Sequence, residues 1–234
     1  MELLSFGDAG WGDEMLRAAA MTLAVSLSSM ALGLVFGTLG AAAKLSAIAP
    51  LRWLAEGYTT VVRGVPELLV IYLLFFGGSG AVMFLAGLFG YHGYIELNAF
   101  TIGTFAIGAI SGAYSTEVIR GAVLAVPVGQ IEAAEAIGMP RLLMFRRIMF
   151  PQVARFALPG LGNVWQFTLK DTALISVTGL VELMRQAHIA AGSTRQPFTF
   201  YVVAAMLYLV LTTFSNYGFK RAEDWADRGV RRAS

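Results

Sequence analysis

The sequence contains no cysteine and only two histidines, and these shortages exclude several kinds of chemistry. Without cysteine, the chain can form neither a disulfide framework nor a thiolate metal site. The histidines, His92 and His188, are far apart and lack the close spacing that zinc ligands show along a chain. We therefore expect no metal site and no catalytic residues in this chain.

Lysine is also scarce, and this bears on nucleotide binding. A phosphate-binding loop needs a glycine directly before its lysine, but Lys44, Lys170 and Lys220 follow alanine, leucine and phenylalanine. We therefore expect no cofactor in this chain, so any ATP and magnesium would be bound by a separate ATPase. The net charge of only +2 gives no reason to expect a nucleic-acid partner.

Charged residues make up only 14% of the 234 residues, whereas 57% are hydrophobic and the mean hydropathy is +0.67. This composition is typical of a membrane protein. Because a helix of about 20 apolar residues crosses the hydrocarbon core, the long uncharged stretches predict an all-α integral membrane protein with about five transmembrane helices. The predicted spans lie near residues 18–43, 53–76, 97–118, 153–180 and 196–219.

Two features within these spans concern helix packing and length. Gly33 and Gly37 are separated by three residues, a spacing that lets two helix backbones approach closely. Residues 77–80 read Gly-Gly-Ser-Gly, so we interpret residues 81–91 as an interfacial or partly re-entrant piece. One long tilted helix over residues 68–91 is the alternative, and the sequence leaves both open.

The distribution of basic residues predicts the orientation of the chain. Bases cluster between the first two spans, within residues 126–152 and in the tail 220–234, whereas residues 1–17 are mainly acidic. Cytoplasmic connections carry an excess of lysine and arginine, so the N-terminal segment should be periplasmic and the tail cytoplasmic. Arg185 and Arg195 then lie on the opposite side, where Glu182 partly offsets their charge.

Residues 129–152 form an amphipathic segment with a helix-turn-helix pattern. Glu132 and Glu135 fall in the first turns of a short helix, where the helix dipole favours negative charge. Gly138 sits where a C-terminal cap belongs, and a second short helix should then run to Pro151. Such a segment is a surface offered to a partner at one side of the membrane. A helix that merely lies in the interface is the alternative.

The amphipathic segment resembles the EAA loop of bacterial ATP-binding-cassette (ABC) importer permeases, and we call residues 126–152 the coupling loop. The family pattern is Glu-Ala-Ala, three residues, Gly, nine residues, Ile, one residue, a bulky apolar residue and Pro. The matching residues are Glu132, Ala133, Ala134, Gly138, Ile148, Phe150 and Pro151. Phe150 stands where leucine is usual, a change that conserves bulk.

Further motifs narrow the resemblance to polar amino acid permeases. Within these, the chain is most similar to the first permease subunit of histidine/lysine/arginine/ornithine and octopine/nopaline importers. The motifs are Arg63-Gly64-Val65-Pro66-Glu67-Leu68-Leu69, Ala113-Tyr114 with Glu117 and Arg120-Gly121, Gly129-Gln130, and Lys170-Asp171-Thr172-Ala173-Leu174.

The resemblance implies a type I importer permease fold in the bacterial inner membrane, with a cytoplasmic EAA coupling helix. The implied partners are a second homologous permease subunit, a dimer of ABC ATPases and a periplasmic substrate-binding protein. The implied function is ATP-driven import of a polar or basic amino acid or an opine by alternating access. A secondary transporter or channel that needs no ATPase is the alternative, although such transporters often show internal repeats, which we do not find here.

Residue roles follow from the same resemblance and from the charges within the predicted spans. The residues implied to couple to the ATPase are Gly129, Gln130, Glu132, Ala133, Ala134, Gly138 and Pro151. Glu67, Glu117 and Asp171 are candidates for the substrate path, because a cationic substrate needs a counter-charge in the membrane. The alternative is structural, with Glu117 paired to Arg63 or Arg120. We expect a structural or kink-forming role for Arg63, Gly64, Pro66 and Lys170.

Overall fold

In the computed structural model, the described residues are 2–7, 10–91 and 98–228, and their regular structure is helical throughout. His92, the start of the predicted third span and the end of the basic tail lie outside the described residues. The α-helices are α1 (Gly12–Leu45), α2 (Ala49–Gly64), α3 (Glu67–Leu88), α4 (Ala99–Leu124), α5 (Val128–Ala136), α6 (Arg141–Met144), α7 (Phe150–Asp171), α8 (Leu183–Thr194) and α9 (Pro197–Ala226). Short 3-10 helices cover Glu2–Leu4 and Thr172–Thr178, and a π-helical turn covers Phe145–Met149.

Helices α1 and α4 form the centre of the bundle and meet along small residues. A Cβ atom built on Gly33 would lie 2.1 Å from the Ser111 hydroxyl oxygen, and one on Gly37 would lie 2.5 Å from the Ser115 Cβ. No side chain fits at either position without moving the opposite helix. The prediction that this glycine pair mediates close helix packing is therefore confirmed.

Three described helices are long and apolar enough to cross a membrane by length and composition: α1, α3 and α9. Helix α4 has 26 residues, about 39 Å at 1.5 Å per residue, and is also long enough to cross. Many of its residues are buried within the protein. Ser111, Ser115 and Thr116 are buried against α1 and its other neighbours.

The second predicted span, near residues 53–76, is wrong in its boundaries. Helix α2 ends at Gly64, and α3 begins at Glu67. The predicted span is therefore two helices separated by Val65 and Pro66, and not one kinked helix. Pro66 lies at the N-cap of α3, where its missing N–H costs nothing. The kink predicted around Arg63, Gly64 and Pro66 is thus a junction between two helices.

The interfacial piece predicted for residues 81–91 is also wrong, and the long-helix alternative describes the chain better. Helix α3 continues through the glycine-rich residues 77–80 to Leu88. Each glycine costs roughly 1 kcal/mol of helix propensity relative to alanine. An unpaired peptide group in hydrocarbon costs several kcal/mol, so the helix continues.

The second arm of the coupling loop, from Arg141 onward, and the predicted fourth span, near residues 153–180, form one continuous helical path. The backbone stays helical from α6 through the π-helical turn into α7, so Pro151 does not end a helix as predicted. Pro151 occupies the first turn of α7, where proline is tolerated. Helix α7 ends at Asp171, and Gly179 ends the 3-10 helix that follows it in a left-handed conformation, with φ of +91°.

Candidate coupling loop and intramembrane charges

The coupling loop contains α5, a glycine cap and the start of the helical path into α7. Gly138 has φ of +69°, and its N–H donates to the Glu135 carbonyl at 2.9 Å. The Met139 N–H donates to the Ala134 carbonyl at 3.0 Å. These bonds close the C-terminus of α5 through a left-handed residue, a conformation that glycine adopts at little cost.

A pair of glutamines fastens the two arms of the coupling loop together. The Gln152 amide nitrogen donates to the Gln130 side-chain oxygen at 2.7 Å and to the Ile148 carbonyl at 2.9 Å. Gln130 lies in α5, whereas Gln152 lies in the first turn of α7. The bond therefore ties α5 to the first turn of α7.

The predicted coupling residues do not all face outward. Glu132 and Ala133 are exposed, and so are Gly129, Gln130, Gly138 and Pro151. Ala134 is only 2% exposed and belongs to the face of α5 that packs inside the chain. Its predicted place on the docking surface is wrong, because adjacent residues on a helix point in different directions.

Exposed apolar side chains on the coupling loop form a candidate contact surface, to which the sequence interpretation assigned no role in coupling. They are Val128, Ile137, Leu142, Phe145 and Phe150, each of them at least half exposed. A cluster of this kind marks a contact surface for another protein. The signal in the sequence is that all five are bulky apolar residues within 126–152, a segment that lies outside any predicted span.

Glu117 belongs to an ion network that joins α1, α2 and α4. The Lys44 ammonium contacts Glu117 Oε1 and lies 2.8 Å from Glu56 Oε2. Glu117 Oε2 accepts from the Arg120 guanidinium, with both N–O distances at 3.1 Å. Because protein cations occupy both of its oxygens, the contacts of Glu117 favour the structural alternative. Its partners are Lys44 and Arg120 rather than Arg63, and its place in the substrate path stays a prediction.

The other two candidate carboxylates do come together. Tyr114 Oη donates to Glu67 Oε1 at 3.2 Å, and Asp171 lies close enough to Glu67 for their charges to interact. The Arg63 guanidinium carbon lies 5.3 Å from the centre of the Tyr114 ring, and the Phe167 ring stacks on the same tyrosine at 6.4 Å. The arrangement is a partly buried acidic cluster, which suits a polar ligand that carries positive charge.

Lys170 and Gly64, for which we expect a structural or kink-forming role, make few contacts in the structure. Lys170 is exposed and forms no ion pair with the other described residues. Gly64 is exposed with open space where a Cβ would lie, so it marks the end of α2 rather than a close contact. Among the residues that the structure describes, no group of three His, Asp or Glu side chains could hold a metal ion.

Glu182, which the sequence analysis expects to offset the charge of Arg185 and Arg195, is completely buried in the structure. Its carboxylate caps α8 by accepting from the Met184 and Arg185 N–H groups at 2.9 and 2.7 Å. The hydroxyl of Tyr208 in α9 donates to it at 3.1 Å, and that of Thr22 in α1 at 3.4 Å. The missed signal was an acidic residue directly before the amphipathic residues of α8.

The bundle of long apolar helices, with a partly apolar loop exposed to solvent, is typical of a membrane protein subunit that works with a partner on one side of the bilayer. The profile of the family described as "binding-protein-dependent transport system inner membrane component" matches residues 33–226. The chain belongs to this family.

Two relatives and two solved structures agree with that membership. The nopaline transport system permease protein NocQ of Agrobacterium fabrum is 62% identical over 232 residues, which cover 99% of this chain and 98% of the relative. The histidine/lysine/arginine/ornithine transport system permease protein HisQ of Escherichia coli is 43% identical over 224 residues, covering 96% and 98%. A crystal structure of an amino acid ABC transporter with histidines superposes with a TM-score of 0.77 at 32% identity, covering 92% of this chain and 94% of that chain. The inward-facing MetNI methionine ABC transporter superposes at 0.73 with 16% identity, covering 95% and 100%, which supports the fold alone.

The chain is therefore the permease subunit of an ABC importer, with a type I fold, and it is a multi-pass inner membrane protein. ATP hydrolysis is carried by a separate ATPase subunit, and an ATPase and a substrate-binding protein are its partners by family. The alternative of a secondary transporter or channel is not favoured.

Proposed function

We propose that this permease imports polar or basic amino acids or opines, and that the coupling loop transmits the motion of the ATPase to the substrate path. The observation that carries the proposal is the outward-facing apolar surface of the loop, fastened to α7 through Gln130 and Gln152. Ile137 and Leu142 are 76% and 71% exposed, and an ATPase cleft would cover them.

The helical path offers a mechanical link between the two sites. Helix α7 has 22 residues and is about 33 Å long, and its last residue is Asp171 of the acidic cluster. A displacement of the coupling loop when the ATPase pair closes would travel along this helix. Movement of Asp171 relative to Glu67 would then change access to the path, as alternating access requires.

The coupling residues divide by position. Gly129, Glu132 and Ala133 present the exposed side of α5 to the ATPase, with Glu132 able to meet a base or a backbone donor. Gly138 forms the turn that fixes the direction of α5, and Pro151 lies in the first turn of α7. Ala134 supports α5 from inside.

The proposed substrate class rests on the acidic cluster together with the relatives. Glu67 and Asp171 supply negative charge, and Tyr114 adds a hydroxyl beside them. A guanidinium or ammonium group would be stabilised between such carboxylates in a low-dielectric path. The relatives transport nopaline, octopine and basic amino acids by name, and these substrates are polar.

The remaining parts of the assembly are proposed from family resemblance and charge. This chain pairs with a second, homologous permease subunit above an ATPase dimer. Residues 1–17 lie in the periplasm, and the basic tail 220–234 lies in the cytoplasm with the coupling loop. ATP and magnesium bind to the ATPase, so this chain holds no cofactor. Its small net charge of +2 gives no reason to propose a nucleic-acid partner.

The test uses proteoliposomes that contain this chain, its partner permease and their ATPase. Binding-protein-stimulated ATP hydrolysis and the uptake of arginine and octopine are measured for wild type, Gly138→Asp and Gly90→Asp. Gly90 is the matched control, because it also has positive φ with open space around it but lies outside the coupling loop.

We expect Gly138→Asp to assemble with its partner permease but to lose ATPase association and uptake together. Gly90→Asp should keep both, because its strain is remote from the ATPase. Normal transport by Gly138→Asp would contradict the coupling role of the loop. Uptake that persists without any ATPase would contradict the importer mechanism itself.

A further inference from the structure

A small polar pocket lies at the end of the bundle opposite the coupling loop. It has a volume of about 220 Å³ and lies between the 3-10 helix Thr172–Thr178, α8 and α9. Its lining residues are Ser176, Val177, Met184, Arg185, His188 and Tyr201. Helix α7 leads away from the coupling loop to this end, which is the periplasmic side in the proposed orientation.

The chemistry of the pocket is that of hydrogen-bond donors without a counter-charge. Arg185 forms no ion pair with any other described residue, and its Nε is shielded from solvent without a hydrogen-bond partner. His188 Nδ1 lies 3.1 Å from Tyr201 Oη, and Ser176 adds a hydroxyl. None of the six lining residues is acidic.

The carboxylate of Glu182, which caps α8, does not form an ion pair with Arg185. Glu182 uses its oxygens for the N–H groups of Met184 and Arg185 and for the hydroxyls of Thr22 and Tyr208. The side chain of Arg185 is therefore available to another anion. A guanidinium in a pocket is suited to a carboxylate, which it can bind with two parallel hydrogen bonds.

The position of the arginine also calls for an explanation. Basic residues are depleted from the periplasmic side of inner membrane proteins, yet Arg185 lies on that side in the proposed orientation. An arginine that opposes the usual charge distribution and has no partner in its own chain suggests a partner outside the chain.

We propose that this pocket receives the carboxylate of one acidic side chain of the periplasmic binding protein, with Arg185 as the anchoring cation. The occupant is a protein side chain rather than a free small molecule because of size. The cavity of about 220 Å³ is smaller than the roughly 300–1,000 Å³ of ordinary small-molecule sites. This inference rests on the proposed importer function and orientation.

The test measures ATP hydrolysis by the reconstituted transporter as the concentration of binding protein is raised. Arg185→Gln removes the charge while keeping most of the length of the side chain, and Arg185→Lys keeps the charge without the planar fork. Arg195→Gln is the control, because Arg195 is exposed near the same end of the bundle but does not line the pocket. Copurification with the ATPase shows that each variant assembles.

We expect Arg185→Gln to raise the half-saturating concentration of binding protein roughly tenfold, the usual order for a lost charge-assisted hydrogen bond. Basal and maximal hydrolysis should not change, because the ATPase and its coupling loop are intact. The half-saturating concentration for Arg185→Lys should fall between those of wild type and Arg185→Gln, and that for Arg195→Gln should equal the wild-type value. Raising the salt concentration should reduce the difference in half-saturating concentration between wild type and Arg185→Gln.

Three outcomes would overturn or separate the claims. An unchanged half-saturating concentration in Arg185→Gln would overturn the inference while leaving the importer function intact. A raised KM for the amino acid at saturating binding protein, with unchanged half-saturation, would assign the pocket to the substrate carboxylate and also overturn it. Wild type that the binding protein fails to stimulate would instead refute the proposed function.

Discussion

The α1–α4 interface and the coupling loop are both contact surfaces, but they are completed in different ways. Between α1 and α4, Gly33 and Ser111 meet within the chain, and both are buried. In the coupling loop, Ile137 and Leu142 are apolar, yet each is more than 70% exposed. The interior is thus complete in this chain, whereas the loop is one half of an interface that a partner completes.

The comparison separates two kinds of substitution. A change in the interior should lower the stability of the chain, and loss of transport should follow from that. A change on the coupling loop should leave the isolated chain stable and abolish transport by breaking contact with the ATPase. Stability and association, measured side by side, therefore distinguish the two regions.

The largest loss of stability is expected for Glu117→Gln. The change removes the carboxylate between Lys44 and Arg120 and leaves the buried Lys44 with Glu56, whose side chain is 67% exposed, as its remaining ion-pair partner. Breaking a buried ion pair costs roughly 3–5 kcal/mol. About 3 kcal/mol is expected here, because 21% of the Glu117 side chain is exposed. The melting temperature of the purified chain in detergent measures the effect.

The control for this prediction is Arg17→Gln, which removes the partner of Asp13 in an ion pair whose arginine side chain is 78% exposed. Exposed pairs contribute little, so its melting temperature should match that of wild type. Equal melting temperatures for Glu117→Gln and Arg17→Gln would show that the interior network does not hold α1, α2 and α4 together.

A smaller loss is expected for Gly37→Ala at the α1–α4 contact. The new Cβ would lie 2.5 Å from the Ser115 Cβ, so the two helices must separate. Overpacking costs roughly 1–3 kcal/mol. The better helix propensity of alanine returns only about 1 kcal/mol. Thermal unfolding in detergent should therefore show a lower melting temperature.

Gly57→Ala in α2 is the matched substitution, since nothing lies within 4 Å of a Cβ at that position. It gains the same propensity without a clash, so its melting temperature should stay level or rise. If both alanine variants shift in the same direction, the close α1–α4 contact does not contribute to stability.

Local features of this fold could be predicted from the sequence, because they depend on neighbouring residues. Gly138 as a cap required only a glycine between a short helix and Pro140. The close packing at Gly33 and Gly37 followed from their spacing. Each of these patterns lies within a short stretch of the chain, and the motif by which the coupling loop resembles its family does so too.

Features that depend on distant residues could not be predicted in the same way. Lys44 and Glu117 are separated by 73 positions, and only the packing of α1 on α4 shows that they pair. The continuation of α3 through its glycines depends on its apolar surroundings, which override local propensity. The burial of Ala134 and Glu182 likewise depends on which face of each element meets the rest of the chain.

The central claim, that a partner covers the coupling loop, is tested most directly by chemical labelling. Because the chain has no cysteine, Ile137→Cys and Ser193→Cys each introduce a single thiol, and both positions are exposed. Maleimide labelling of each variant is measured in detergent with its partner permease, with and without the ATPase, after the melting temperature has been checked against wild type. We predict that the ATPase protects Cys at position 137 and leaves position 193 freely labelled. Equal labelling at position 137 with and without a bound ATPase would contradict the account.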